Sequence, residues 1–327
     1  MNQPTISIII PVKPGFGVTA TQRLAQVDYP PDRYEIVVAE GYSPSRQRNT
    51  AAAHAEGEIV YFLDDDSLTS PDFLTVAAGH YGNPQVAAVG GPSLTPATDS
   101  ILQRSIGAAL ASPLGGGGMR NRYRAQGKAR LTDDSELILC NLSFRRERFL
   151  ACGGLDERLY PNEENELLDR MRHAGAGLIH DPRLAVFRSQ RPTWRLLCRQ
   201  FLNYGRGRAE QTLISRRVQP ASLLPALFLI YVLTVPFLVS PLAWLPLAGY
   251  GVMVFAVSLA EAIKAHSPGM LARLALIYPI IHLAYGAGLW RGVMGALLGR
   301  RRKPGGEVTL RLVKRLADPP GAHADTV

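Results

Sequence analysis

The sequence predicts an α/β domain followed by membrane helices. Three observations predict it: strand-like and helix-like segments alternate as far as residue 89, an acidic run closes one of the strands, and residues 218–260 contain no Asp, Glu, Lys or Arg. ISIIIPV at 6–12 reads as a first buried strand, residues 19–27 as a helix, YEIVVAE at 34–40 as a second strand, residues 45–56 as a helix and IVYFL at 59–63 as a third strand. Short apolar runs rich in β-branched residues fit strands covered on both faces. Residues 71–79 continue as a helix and Val86 to Val89 as a further strand. Strands separated by helix-length segments pair in parallel through right-handed crossovers. The region 113–130, with a glycine run at 115–118 and scattered arginines, reads as a loop, either a mobile flap near substrate or a plain linker.

YFLDDDS at 61–67 stacks three carboxylates at the end of the third strand. Adjacent acids repel, so the run calls for a cation. On an extended backbone the period of two puts Asp64 and Asp66 on one side and Asp65 on the other, and the outer pair suits a hard divalent cation, Mg2+ or Mn2+. Strand carboxyl ends are also where open α/β sheets bind ligands. The same acids fit a solvated loop ahead of a helix with Ser70 as N-cap, Pro71 at its first position and Asp72 near its positive end, which is compatible with a metal site. A second acidic cluster lies in YPNEENELLDRMRHAG at 160–175. Leu167, Leu168 and Met171 have helical spacing and Asn162 suits the N-cap, so Glu163, Glu164 and Glu166 fall in the first turn. There they complement the helix dipole, and Glu166 can pair with Arg170 four residues on.

A spanning helix needs about 20 apolar residues. The uncharged stretch therefore holds two, at about 222–240 and 244–262, broken by SPLAWLP at 240–246; a third apolar run, 274–298, contains Pro279 and His282. With the first domain cytosolic, Lys264 and Arg273 obey the positive-inside bias, whereas a complete third span exports Arg300, Arg301, Arg302 and Lys303 against it. The third segment is therefore expected to be embedded while the tail stays cytosolic. Between residues 188 and 217 eight arginines face one acid, Glu210. Such a juxtamembrane cluster attracts anionic lipids, and without a nucleic-acid-binding module no nucleic acid partner is expected. No signal peptide is expected, because Ile6 to Ile10 is too short an apolar run and lacks a basic lead. Cys140, Cys152 and Cys198 lack metal-type spacing, and no disulfide is expected. The chain thus divides into a domain at 1–193, a basic interface segment at 194–217, a membrane part at 218–298 and a basic, partly disordered tail at 299–327.

ISIIIPV, the strand ending in Glu40-Gly41, QRNTAAAHAEGEIVYFLDDDS, NLSFRRERFLACGGLDERLYPNEENELLDRMRHAG and WRLLCRQFLNYGRGRAEQT, in this order and followed by membrane helices, resemble the family-2 glycosyltransferases of GT-A fold, in their membrane-bound, succinoglycan-type exopolysaccharide branch. The resemblance covers most of residues 4–298. It implies that Pro11 and Val12 line the nucleotide pocket, that Glu40 reads the uracil or ribose, and that Asn49 lies on the donor side. It also implies that Asp64 and Asp65 bind the donor and that Asp64 and Asp66 hold the metal. Glu164 is then the catalytic base, with Glu163, Arg199, Gln200, Tyr204, Arg206 and Arg208 toward acceptor and diphosphate, although each of those arginines also suits lipid contact. Two positions depart from the family pattern: Glu164 stands where an aspartate is usual, and Ala39 where an acid precedes Glu40.

The implied activity is inverting transfer of a sugar from a nucleotide-diphosphate donor, with Mn2+ or Mg2+, to a polyprenyl-linked acceptor at the cytosolic face of the inner membrane. Direct transfer to a polyprenyl phosphate is an alternative. The two departures also leave open a non-catalytic membrane partner that binds nucleotide sugar.

Overall fold

The computed structural model describes residues 3–299 and 305–316. In chain order its elements are β1 (Ile6–Val12), α1 (Ala20–Leu24), β2 (Tyr34–Glu40), α2 (Pro44–His54), β3 (Ile59–Leu63), α3 (Phe73–His80), β4 (Val86–Gly90), β5 (Ser93–Leu94), α4 (Ile101–Ala111), α5 (Pro113–Gly116), β6 (Arg130–Leu131), β7 (Asn141–Arg145), α6 (Arg146–Ala151), α7 (Glu163–His173), β8 (Gly177–His180), β9 (Val186–Phe187), α8 (Trp194–Ser215), α9 (Leu224–Thr234), α10 (Leu245–Lys264), α11 (Gly269–Leu297) and β10 (Thr309–Lys314). They form two compact units: one holds the residues through Leu94, Asn121–Arg188 and the described residues from 305 on, the other Thr95–Arg120 and the described residues from Ser189 through 299. The boundary differs from the division at residue 193, because α4 and α5 cluster with the later helices rather than with the sheet.

The first unit is built on a mixed sheet of order β10-β2-β1-β3-β7-β4-β8-β6. β1 pairs in parallel with both β2 and β3, while β7 runs antiparallel between β3 and β4. Strand alternation feeds two cores: Ile8, Ile10, Ile36, Val38, Tyr61 and Leu63 pack on one face, and Ile9, Val37, Ala39, Val60 and Phe62 on the other. This two-sided burial makes the strand runs continuously apolar in sequence. The helix after the acidic run starts at Phe73, with Asp72 rather than Ser70 at the cap position and no side-chain capping bond. Asn162 does take the cap position of α7, but through a left-handed backbone (φ 84°) and not a side-chain hydrogen bond.

Part of the expected tail is a strand. β10 pairs antiparallel with β2, Thr309 opposite Glu40 and Arg311 opposite Val38. Val313 joins the core, and the Lys314 ammonium lies 4.3 Å from the Tyr34 ring centroid. Arg300 to Lys303 and the residues after 316 lie outside the described residues.

Among the described residues of the second unit, three helices are long and apolar enough to cross a membrane: Pro220–Phe237, Pro241–Lys264 and Gly269–Leu297. The third, α11, is the most buried of these. Its glycines let other backbones approach: a Cβ at Gly286 would meet the Pro225 carbonyl, one at Gly288 that of Leu202 and one at Gly292 that of Arg206. Its first half is tied to the α4–α5 region, where the Tyr278 hydroxyl donates to Ser112 Oγ at 3.0 Å and a His282 ring nitrogen lies 3.0 Å from the Leu114 carbonyl. Two glycines of the run are packed in the same region. A Cβ at Gly115 would stand 2.3 Å from the Ala109 carbonyl and one at Gly116 1.9 Å from that of Leu110.

Candidate active site

β3 delivers the acidic run to the carboxyl edge of the sheet, and the chain turns at once. Ser67 N–H donates to the Asp64 carbonyl at 3.1 Å, and the Ser67 hydroxyl accepts from Asp64 N–H at 3.2 Å. The extended backbone assumed for alternation is absent, yet Asp64 and Asp66 still converge, because one guanidinium reaches both. Arg188, just after β9, places Nη2 3.1 Å from Asp64 Oδ2 and Nε 2.8 Å from Asp66 Oδ1. The other Asp64 oxygen takes Arg48 Nη2 at 2.7 Å. Arg48 is buried on α2, with its guanidinium 6.0 Å from the Phe62 ring centroid.

Asp65 faces a different setting. Burial, then the charges of Asp66 and Asp64, push its carboxyl above the usual range, while its backbone carbonyl accepts from Ala20 N–H at 2.9 Å. For Arg188 burial opposes the charge, but Asp64, Cys140 and Asp66 hold its pKa well above the ordinary value. Arg188 is thus a ligand of the acidic run and not part of a lipid-facing cluster.

The edge beneath the aspartates is braced by Asn141, the β7 residue opposite Leu63. Its Oδ1 accepts from the Tyr61 hydroxyl at 2.7 Å, and its amide donates to the Pro92 carbonyl at 3.3 Å and to the Leu184 carbonyl. Asn141→Leu strands these fully buried partners. Its expected cost is about 3 kcal/mol of stability, read by urea denaturation.

Glu163 and Glu164 are both buried in the first turn of α7. Glu164 Oε1 lies 3.4 Å from Arg122 Nη1. The same guanidinium donates to the Ser135 carbonyl at 3.0 Å and to the Asp134 carbonyl and Asn165 Oδ1. Glu166 makes the expected pair with Arg170 at 2.7 Å.

The other predicted residues divide. Pro11 and Val12 end β1, beside Glu40 at the end of β2, and the Val12 carbonyl accepts from Gln47 Nε2 at 2.8 Å. Glu40 lies 3.6 Å from Arg311 of β10. Asn49 ties α2 to the loop before α7, where its Nδ2 donates to the Leu155 carbonyl at 2.8 Å and its Oδ1 accepts from Leu155 N–H at 2.9 Å. Arg199, Gln200, Tyr204, Arg206 and Arg208 all lie on α8. Gln200 donates to the Tyr204 hydroxyl at 2.7 Å, Arg206 pairs with Glu210 at 3.6 Å, and Arg208, buried, donates to Gln211 at 2.9 Å. Burial removes Arg208 from lipid contact; Arg199 is exposed.

Arg48 and Arg122 escaped the sequence reading, and Arg188 figured there only as the first of the juxtamembrane arginines. The acids called for a cation, but nothing in chain order shows which of many arginines arrives from 16 or 122 residues away.

This mixed sheet, with acids at a strand's carboxyl edge, has the GT-A fold. Residues 19–151 match the family model described as Glycosyl transferase family 2. The succinoglycan biosynthesis protein ExoA of Rhizobium meliloti (strain 1021) is 30% identical over 205 residues, 60% of this chain and 58% of that protein. The match thus spans less than two thirds of that relative. A mannosyltransferase of Pyrobaculum calidifontis, PcManGT, in complex with GDP-Man and Mn2+, has the same fold at TM-score 0.53 and 16% identity, with 89% of this chain and 88% of that one covered. The chain is thus similar to the family-2 glycosyltransferases over residues 19–151 and to a succinoglycan biosynthesis protein over 205 residues.

Proposed function

We propose that the chain is a membrane-bound inverting glycosyltransferase of polysaccharide biosynthesis that moves a hexose from a nucleotide-diphosphate sugar, a UDP-sugar, to a polyprenyl-linked glycan. The observation that carries this reading is the convergence of Asp64 and Asp66 on one cationic group, the Arg188 guanidinium, at the strand edge. Among the described residues no three His, Cys, Asp or Glu side chains surround one point. Two carboxylates suit Mg2+ or Mn2+, which commonly bind through one or two carboxylates plus substrate phosphate. Asp64 and Asp66 would hold the ion, which when bound supplies counter-charge for the leaving diphosphate. Glu164 accepts the proton of the acceptor hydroxyl as its oxygen bonds to the sugar's anomeric carbon and the bond to the donor phosphate breaks. Arg122 orients that carboxylate. The nucleoside diphosphate leaves, and no covalent sugar–enzyme intermediate forms.

The test is release of UDP from UDP-sugars by the purified chain, with and without Mn2+, and the mass of the extended lipid. Binding without any turnover would overturn the enzymatic reading in favour of a sensor.

The same proposal sets the catalytic unit on the cytosolic face of the inner membrane, with α8 beside anionic lipids. Pairing of β10 with β2 supports an even number of crossings, since strands of one sheet share one side of a membrane. The α9–α10 hairpin then crosses, and α11 stays embedded from the cytosolic side without a complete crossing. A cysteine at exposed Thr309 in a cysteine-free variant should resist an impermeant maleimide in intact cells and label after permeabilisation. Labelling of intact cells would instead make α11 a full span.

A further inference from the structure

We propose that Arg188 is an exchangeable counter-ion: it caps Asp64 and Asp66 in the free protein, yields them to a divalent cation, and then forks onto the diphosphate of the donor. The inference rests on the donor-binding reading above and deepens it.

Both oxygens of Asp64 are engaged, Oδ1 by Arg48 and Oδ2 by Arg188; each keeps a second lone pair, but a divalent ion on this carboxylate lies within a few ångströms of both guanidiniums and its charge drives the less fixed one away. Arg48 is the fixed one. Its side chain is 5% exposed and lies against Phe62 inside the sheet-packing helix. Arg188 is the movable one, with 27% side-chain exposure, and it shares Asp66, whose side chain is 49% exposed. Its backbone N–H is anchored to the Leu94 carbonyl at 2.9 Å, so the exchange needs only side-chain rotation.

Charge dictates the destination. Three aspartates are opposed by two arginines in the free protein. Once a divalent cation joins, the cation and Arg48 together balance the three carboxylates, and Arg188 is left as a positive charge without a local partner. A guanidinium presents two parallel N–H groups that match phosphate oxygens. The incoming diphosphate is then the only strong anion left for it, and donor binding completes the swap. This order makes cation and donor bind cooperatively, since each removes an obstacle to the other.

The experiment uses the full chain in detergent and reads free Mn2+ by electron paramagnetic resonance, first without nucleotide. UDP and GDP are then each titrated at saturating Mn2+ by calorimetry. Arg188→Gln should bind Mn2+ about tenfold more tightly, because the competing charge is gone, and nucleoside diphosphate about tenfold more weakly. Arg188→Lys should leave Mn2+ binding within about twofold and still weaken the nucleotide, since an ammonium cannot fork. A residue that merely braces the loop would shift both affinities in one direction. Unchanged or weaker Mn2+ binding in Arg188→Gln, in protein whose melting is intact, overturns the exchange, and so does a wild-type chain that binds no Mn2+. If wild type binds Mn2+ but neither UDP nor GDP, the donor reading fails and the forking half of the proposal fails with it, while the Mn2+ comparison still decides whether Arg188 competes with the cation.

Discussion

Glu164→Gln should bind donor nearly as well as wild type and lose turnover by about 10²–10⁴-fold, the range for removal of a general base. The amide keeps the size of the side chain and a carbonyl oxygen toward Arg122, 3.4 Å away, but cannot take the acceptor's proton. Steady-state kinetics should therefore show a fall in kcat with little change in the donor's KM. Structure raises the stability cost above that of a surface helix-dipole acid, because Arg122 is buried and loses its carboxylate. Its bonds to Ser135, Asp134 and Asn165 remain, which holds the loss to about 1–3 kcal/mol. Near-normal turnover would leave Glu164 only the structural role of neutralising Arg122. Glu164→Asp is the companion measurement: a shorter carboxylate draws back from both Arg122 and the acceptor, so activity should fall. A rise would mark the wild-type chain as a weakened relative of the family-2 glycosyltransferases it resembles.

Asp66→Ala should abolish sugar transfer, by about 10³-fold or more, through loss of charge stabilisation at the leaving diphosphate. The fold should survive. The Asp66 side chain is half exposed in its pair with Arg188, and exposed ion pairs contribute about 0–1 kcal/mol. The measurement is UDP release at rising Mn2+ beside a thermal melt. Full Mn2+-dependent turnover in this variant would remove the acidic run from the chemistry.

Much of the sheet could be read from residues alone because its determinants are local. ISIIIPV, YEIVVAE and IVYFL become β1, β2 and β3 at their expected bounds, since runs buried on both faces must be apolar throughout whatever packs on them. The acids at 64–66 and 163–164 could be read too, as clustered carboxylates demand a partner wherever they sit. The three apolar helices follow from composition alone. What the neighbours of those acids are was not legible. Arg188 comes from 122 residues beyond Asp66 and Arg122 from 42 residues before Glu164, and arginines in chain order look alike until the sheet brings their β-carbons to the site. The turn at Asp64 to Ser67 shows the same division: the convergence of Asp64 and Asp66 could be anticipated, but it arises from a hydrogen-bonded turn and a shared guanidinium, not from strand alternation. The return of Thr309–Lys314 to β2 is likewise tertiary, because an edge strand is defined by the unpaired backbone groups of its neighbour and not by its own sequence. Local side-chain chemistry thus determined the strands, the acids and the apolar spans, while long-range packing alone decided which charges meet and which strand the end of the chain joins.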